Sequence, residues 1–174
     1  EACENGETKI VQLLLERCNS EESGLNIKDE YWNLALMWAC ENGHKDIVQL
    51  FIEHCNSEES GLNTKDNLGI TALMWACHKG HRDVVKLLLD HSDPNIHCFG
   101  FTPFMIACGK GQKDVVQLFL DHGDANIDVN ARDYYGWTPF MRACSKGHKD
   151  VVQLLLNHSN PRIEVNAKHS NGCT

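Results

Sequence analysis

Nine cysteines and ten histidines in 174 residues could supply metal ligands, disulfides or a nucleophile with its base, so their spacing is the first question. Cys3, Cys40, Cys77, Cys108 and Cys144 recur at offsets of 37, 37, 31 and 36 residues. A structural zinc site would need close pairs such as C-x-x-C, and the chain has none. Five cysteines in one recurring slot read instead as small, buried, apolar residues. If the slots lie on stacked helices they sit ~8–10 Å apart, too far to be joined as disulfides. Reduced thiols of this kind fit a reducing compartment, the cytoplasm or the nucleus. The histidines follow the same logic. His44, His81 and His148 each come directly after a glycine. His54, His91, His122 and His158 form a second column. Repetition accounts for both columns, and neither a metal nor any other cofactor is expected. No nucleophile–base pair, phosphate-binding loop or paired acid motif stands out, so the chain is not read as an enzyme.

The elements that carry these columns repeat as well. Four stretches, "LALMWACENGHKDIVQLFIEH", "TALMWACHKGHRDVVKLLLDH", "TPFMIACGKGQKDVVQLFLDH" and "TPFMRACSKGHKDVVQLLLNH", are copies of one text. A fifth, "ACENGETKIVQLLLER", lacks its front end, and a sixth begins at "SNGCT" and stops. Each copy predicts two short helices. Thr102-Pro103 and Thr138-Pro139 supply an N-cap followed by proline at the first helical position. Gly43, Gly80, Gly111 and Gly147 end the first helix. Val151, Leu154 and Leu155 of the second helix fall at i, i+3 and i+4, one helical face. So broad an apolar surface on so short a pair must be buried against another pair, which makes the architecture a solenoid. The polar stretches between pairs, such as "DPNIHCFGF" and "DANIDVNARDYYGW", hold the residues of turns and predict short extended hairpins.

"GITALMWACHKGHRDVVKLLLDH" and "GWTPFMRACSKGHKDVVQLLLNH" resemble the ankyrin repeat, Gly-x-Thr-Pro-Leu-His-x-Ala-Ala-x-x-Gly-His followed by an apolar helix. The resemblance spans essentially the whole chain. It implies an all-α fold: an α-solenoid of ankyrin repeats, each a helix–turn–helix with a hairpin loop. The domain expected is a single one over 1–174, with a partial repeat at 1–29. Complete repeats are expected at about 30–66, 67–97, 98–132 and 133–168, and a further start at 169–174. Departures from the pattern are instructive. Met37, Met74, Met105 and Met141 stand where the family has histidine, and cysteine replaces the second alanine. Length varies after the second helix, where loops absorb it at small entropic cost. The stretch Asp29–Leu34 has Trp32 in place of glycine and lacks Thr-Pro, which puts its hairpin in question.

Charge narrows the class of partner. Residues 1–66 hold 5 Lys/Arg against 14 Asp/Glu, and residues 67–174 hold 11 against 10. So acidic a chain argues against nucleic acid. No apolar run approaches the ~18 residues of a membrane span. The N-terminus, Glu1, opens inside the repeated pattern, and the expectation is that the chain is an excerpt.

The resemblance also implies where a partner protein meets the stack: the hairpin tips and the exposed side of each first helix. The tips map to Glu30 and Tyr31, Asn67 and Leu68, Cys98 and Phe99, Tyr134 and Tyr135. Ile70, Phe101 and Trp137 follow the glycine position. On the first helices Trp38, Trp75, Ile106 and Arg142 lie one turn before the exposed pairs Glu41-Asn42, His78-Lys79, Gly109-Lys110 and Ser145-Lys146. Tyr, Trp and Arg are the usual anchors of interfaces. The face runs from Glu4, Glu30 and Glu41 to Lys79, Lys110, Arg142 and Lys146, so a partner is expected to present acidic groups to the later repeats.

Two candidate modification sites complete the reading. The duplicated "NSEESGLN" places Ser20 and Ser57 among acids, open to phosphorylation, though a solvated linker is the preferred interpretation. The resemblance also implies candidate asparagine hydroxylation at Leu87-Asp93-Asn95 and Leu118-Asp124-Asn126, though a plain hairpin asparagine is the preferred interpretation. The function expected is a monomeric protein-interaction scaffold. The alternative is the substrate-recruiting region of a larger enzyme such as a kinase or ubiquitin ligase. An intrinsic metal or small-molecule module is the weakest reading.

Overall fold

The computed structural model describes residues 1–18, 30–54, 61–122, 127–158 and 163–168. Ser20, Ser57, Asp124, Asn126 and the repeat start at 169–174 lie outside them. The chain forms two compact units, Glu1–Ser92 and Asp93–Thr174. Among the described residues all regular structure is helical, and no strand is present.

The first unit holds α1 (Ala2–Asn5), α2 (Thr8–Cys18), α3 (Glu30–Asn42), α4 (Lys45–His54), α5 (Ala72–Lys79) and α6 (Arg82–Leu89), with a 3-10 turn at Gly61–Asn63. First helices stack α1 on α3 on α5, and second helices stack α2 on α4 on α6. The second unit repeats the scheme with α7 (Pro103–Lys110), α8 (Lys113–Asp121), α9 (Pro139–Ser145) and α10 (Lys149–Asn157). There α7 packs on α9 and α8 on α10. No helix among the described residues is long and apolar enough to cross a membrane.

Capping follows the sequence closely. Thr71, Thr102 and Thr138 each accept a hydrogen bond from the backbone N–H of Met74, Met105 and Met141, at 3.3, 3.2 and 3.3 Å. One orphan donor of each helix start is thereby satisfied. The methionines point their side chains into the core, and all four are buried. Gly80 and Gly111 close α5 and α7 in the left-handed conformation.

The core is built from the recurring apolar slots. Ile47, Val48 and Phe51 of α4, Val84, Val85 and Leu88 of α6, and Val115, Val116 and Phe119 of α8 are all buried. Phe104 and Phe119 meet at 5.6 Å between ring centroids. In α2 the counterparts of Ile47 and Phe51, Ile10 and Leu14, are exposed. Among the described residues α2 has a second helix beside it on one side alone.

Two expectations need correction. Helix α3 begins at Glu30, so Glu30 and Tyr31 lie on a helix and form no hairpin tip. The cause is local. This stretch lacks the glycine that a left-handed turn requires and the Thr-Pro that would start a helix later, so the helix runs about one turn further back. The side chain of Tyr31 is outside the described residues. Among the described residues the loops are also tighter than extended hairpins: they are hydrogen-bonded turns, with one isolated bridge, between Cys98 and Phe101.

Candidate protein-binding surface

The cysteine and histidine columns have structural work. Cys40, Cys77 and Cys108 are fully buried. Burial pushes the thiols of Cys40 and Cys108 far above their ordinary range. Cys144 is exposed and Cys3 half-buried. The rings of His44 and His81 lie on Gly6 and Gly43 of the preceding helix pair, and that of His148 on Gly111. A Cβ on Gly43 would stand 2.6 Å from His81 Nδ1, closer than any side chain can approach. Nε2 of the same histidines reaches the carbonyls of Glu4, Glu41 and Gly109 at 2.8, 2.8 and 3.0 Å. A carbonyl can only accept, so Nε2 carries the proton. Each histidine therefore ties one helix pair to the next.

The tips are set by aspartate. At Asp66 the backbone closes a turn with Ile70 and Gly69, at 2.9 and 2.8 Å. Asp66 Oδ1 accepts from the N–H groups of Leu68 and Ile70, both at 2.8 Å. Its other oxygen accepts from the indole of Trp75 at 3.4 Å. Asp133 repeats this pattern. Its backbone pairs with Trp137 and Gly136 at 3.1 and 2.8 Å. Oδ1 accepts from Tyr135 and Trp137, both at 2.9 Å. The nine-residue reach is made this time by Arg142, whose Nη2 donates to Oδ2. Asp133 has a side chain 0% exposed and Arg142 one 22% exposed, so the pair is nearly desolvated. The Arg142 guanidinium also lies over the rings of Phe101 and Trp137, at 4.5 and 5.2 Å. Cation–π contacts of this kind add about 1 kcal/mol each at partly buried sites.

The remaining tip is built differently. Cys98 and Phe101 exchange both backbone hydrogen bonds, at 3.0 and 2.9 Å. The two residues between them, Phe99 and Gly100, have φ of 50° and 80°. Two positive φ values in a two-residue loop make a type I′ turn, which favours Asn-Gly. Phenylalanine there costs about 1–2 kcal/mol. Gly100 is buried against the neighbouring tip, where a Cβ would meet Asp133 Cα and Tyr134 N at 2.8 Å.

In the second unit these turns expose three aromatic rings: Phe99 is 68%, Tyr134 73% and Tyr135 65% accessible. Phe101 and Trp137 sit half-buried behind them. Lys110 is exposed on α7, and Lys146 is exposed directly after α9. The first unit holds the other expected residues. Leu68 and Trp38 are exposed, and Ile70 is half-buried. Trp75 is half-buried, bonded to Asp66 and edge-on to His78 at 6.0 Å. Lys79 is paired with Glu41 at 3.0 Å. Counting residue charges therefore overstates the gradient on the face, since Glu41 offsets Lys79 and Asp133 offsets Arg142.

Sequence reasoning missed the two aspartates. Their signal was present: aspartate three residues before a glycine, with a side chain able to donate nine residues on. It also missed an asparagine ladder. Asn95 Oδ1 accepts from Asp128 N at 3.2 Å, and Asn130 Oδ1 accepts from Glu164 N at 2.9 Å. Asn95, a candidate for hydroxylation, thus has its carboxamide oxygen bonded to the next loop.

A protein-family model described as "Ankyrin repeats (3 copies)" matches residues 1–98 and 90–169. No curated protein matches the chain.

Proposed function

Because the chain belongs to the ankyrin-repeat family, whose repeats are generally protein–protein interaction modules and typically non-catalytic, we propose that it is an interaction scaffold whose principal contact surface is the aromatic tip cluster of the second unit. The observation that carries this reading is the exposure of Phe99, Tyr134 and Tyr135 on turns held from below by Asp133, Arg142 and Gly100. Large aromatic rings on a rigid support lose little conformational entropy on binding. The strain at Phe99 supports it further. An aromatic residue stands where asparagine would be more stable, and strained backbone positions cluster at binding sites. Phe101, Trp137 and Arg142 form the layer behind, and Lys110 and Lys146 give the surface its positive side, toward which the partner turns acidic groups.

In the first unit Leu68, Ile70, Trp38, Trp75 and Lys79 form a smaller, more neutralised surface. Buried thiols in the repeated slot support a reducing location, the cytosol or the nucleus. The chain acts as a monomer in this reading, with its partner another protein.

The test is affinity purification from native extract with quantitative mass spectrometry. The intact chain is compared with a Tyr134→Ala/Tyr135→Ala double variant and with a Tyr134→Ala/Tyr135→Ala/Trp137→Ala triple variant. Partners retained by the intact chain and lost with the double variant support the surface. An unchanged set of partners with the triple variant removes it.

A further inference from the structure

The two units treat one lysine column in opposite ways. Lys79, Lys110 and Lys146 each stand directly before the glycine that follows a first helix. In the first unit, Lys79 Nζ meets Glu41 Oε1 of the preceding first helix at 3.0 Å. In the second unit, the residue in the place of Glu41, one helix before Lys146, is Gly109. Gly109 has no side chain to offer. Among the described residues neither Lys146 nor Lys110, its neighbour on α7, has an ion-pair partner. A Cβ at Gly109 would have one neighbour within 4 Å, Arg142 Cβ at 3.7 Å, so the space above it is open. Arg142 walls this notch with its charge already paired to Asp133, so it shapes the notch and leaves the charge to the two lysines.

We propose that the notch over Gly109 is an acceptor for a carboxylate side chain of the partner, an aspartate or glutamate in an acidic peptide segment. That carboxylate takes the place Glu41 holds against Lys79 and pairs with Lys146 and Lys110. Gly109 is then the specificity-determining residue: its missing side chain leaves to the partner a charge that the first unit supplies from within. Charge complementarity selects the occupant, since two lysines with no ion-pair partner among the described residues belong to a position whose counterpart in the same chain is filled by a glutamate. The inference rests on the second unit being the contact surface, and it adds the chemistry of one subsite.

The probe is a displayed library of random dodecapeptides, panned on the full chain at low salt. The result expected is enrichment of peptides with Asp or Glu at a fixed spacing from an aromatic or apolar anchor. Panning on Lys110→Gln/Lys146→Gln should lose the acid and keep the anchor. An enriched acidic peptide, measured by fluorescence anisotropy, should bind G109E at least tenfold more weakly, because the variant supplies its own carboxylate. K149Q, the same charge change on α10, should stay within about twofold. Thermal melts establish that each variant is folded. Enriched peptides without an acid preference, or equal affinity for G109E, would overturn the notch alone. Peptides insensitive to Tyr134→Ala/Tyr135→Ala would overturn the contact surface itself, and enrichment of nothing would count against both.

Discussion

The tips at Asp66 and Asp133 share a backbone and differ in one contact. Both aspartates cap two N–H groups of their own turn, and both are reached by the side chain nine residues later. Trp75 brings a neutral indole at 3.4 Å, whereas Arg142 brings a full charge and sits between two aromatic rings. The first tip is a hydrogen-bonded turn with an apolar neighbour. The second is a desolvated ion pair roofed by the proposed binding residues. The difference teaches that a repeat can keep its local frame and change the strength of what stands behind it. The more exposed aromatic surface goes with the charged support.

Breaking the support should show the largest effect. Asp133→Ala leaves a guanidinium without its carboxylate and two backbone donors without a cap, and should cost about 3 kcal/mol. Asp66→Ala loses hydrogen bonds alone and should cost about 1–2 kcal/mol. Urea unfolding followed by tryptophan fluorescence measures both, and equal losses would erase the distinction between the tips.

Next in size is the effect on binding. Tyr134→Ala/Tyr135→Ala should weaken partner affinity by about 2 kcal/mol or more, the scale of an aromatic hot spot, with little change in stability. Leu68→Ala, on the equivalent tip of the first unit, should change affinity by less than about 0.5 kcal/mol. Titration calorimetry with a captured partner would decide, and a larger loss from Leu68→Ala would move the contact surface to the first unit.

A smaller and opposite effect is expected at the turn between Cys98 and Phe101. Phe99→Asn relieves the positive φ and should stabilise the chain by about 0.5–1 kcal/mol while weakening binding. A thermal melt beside the binding assay tests both signs. Loss of stability would mean that the Phe99 ring is held by contacts that outweigh its backbone strain.

The smallest perturbation probes the cysteine column. Iodoacetamide at pH 9 should label Cys144 and Cys3 and leave Cys40 and Cys108 untouched in the folded chain. Burial keeps the latter pair protonated, while unfolded thiols, with an ordinary value of 9.0, ionise there. The sign for stability follows. Their contribution is complete below pH 9 and falls as pH rises above it, because the unfolded chain then releases protons the folded chain retains. Peptide mapping at graded urea would report the order of labelling.

How much of this was legible beforehand varies with the kind of interaction. Helix pairs, caps and the buried slots could be read because Thr-Pro, the closing glycines and the apolar spacing each act within a few residues of chain. The family followed from the same text. Helix α3 was harder: the turn glycine and the capping threonine that mark a start in the other repeats are both missing there. The state of Arg142 was harder still. Counting charges assigns it to the surface, and only the nine-residue return to Asp133 shows that its charge is already used. Lys79 and Glu41 are alike in this, separated by 38 positions along the chain and 3.0 Å apart in space. Gly109 looked like one more glycine in a repeat, because what matters there is the side chain it lacks.

The asparagine ladder carries one more consequence. Asn95 and Asn130 fasten successive loops through backbone donors, and Gly100 rests on the backbone of Asp133 and Tyr134. The spacing between recognition loops is therefore set by Asn95, Asn130 and Gly100, which fasten to backbone atoms of the next loop and not to its side chains. Such loops behave as interchangeable cassettes: new side chains at 99, 134 and 135 could retarget the protein, by evolution or by design, without renegotiating the frame.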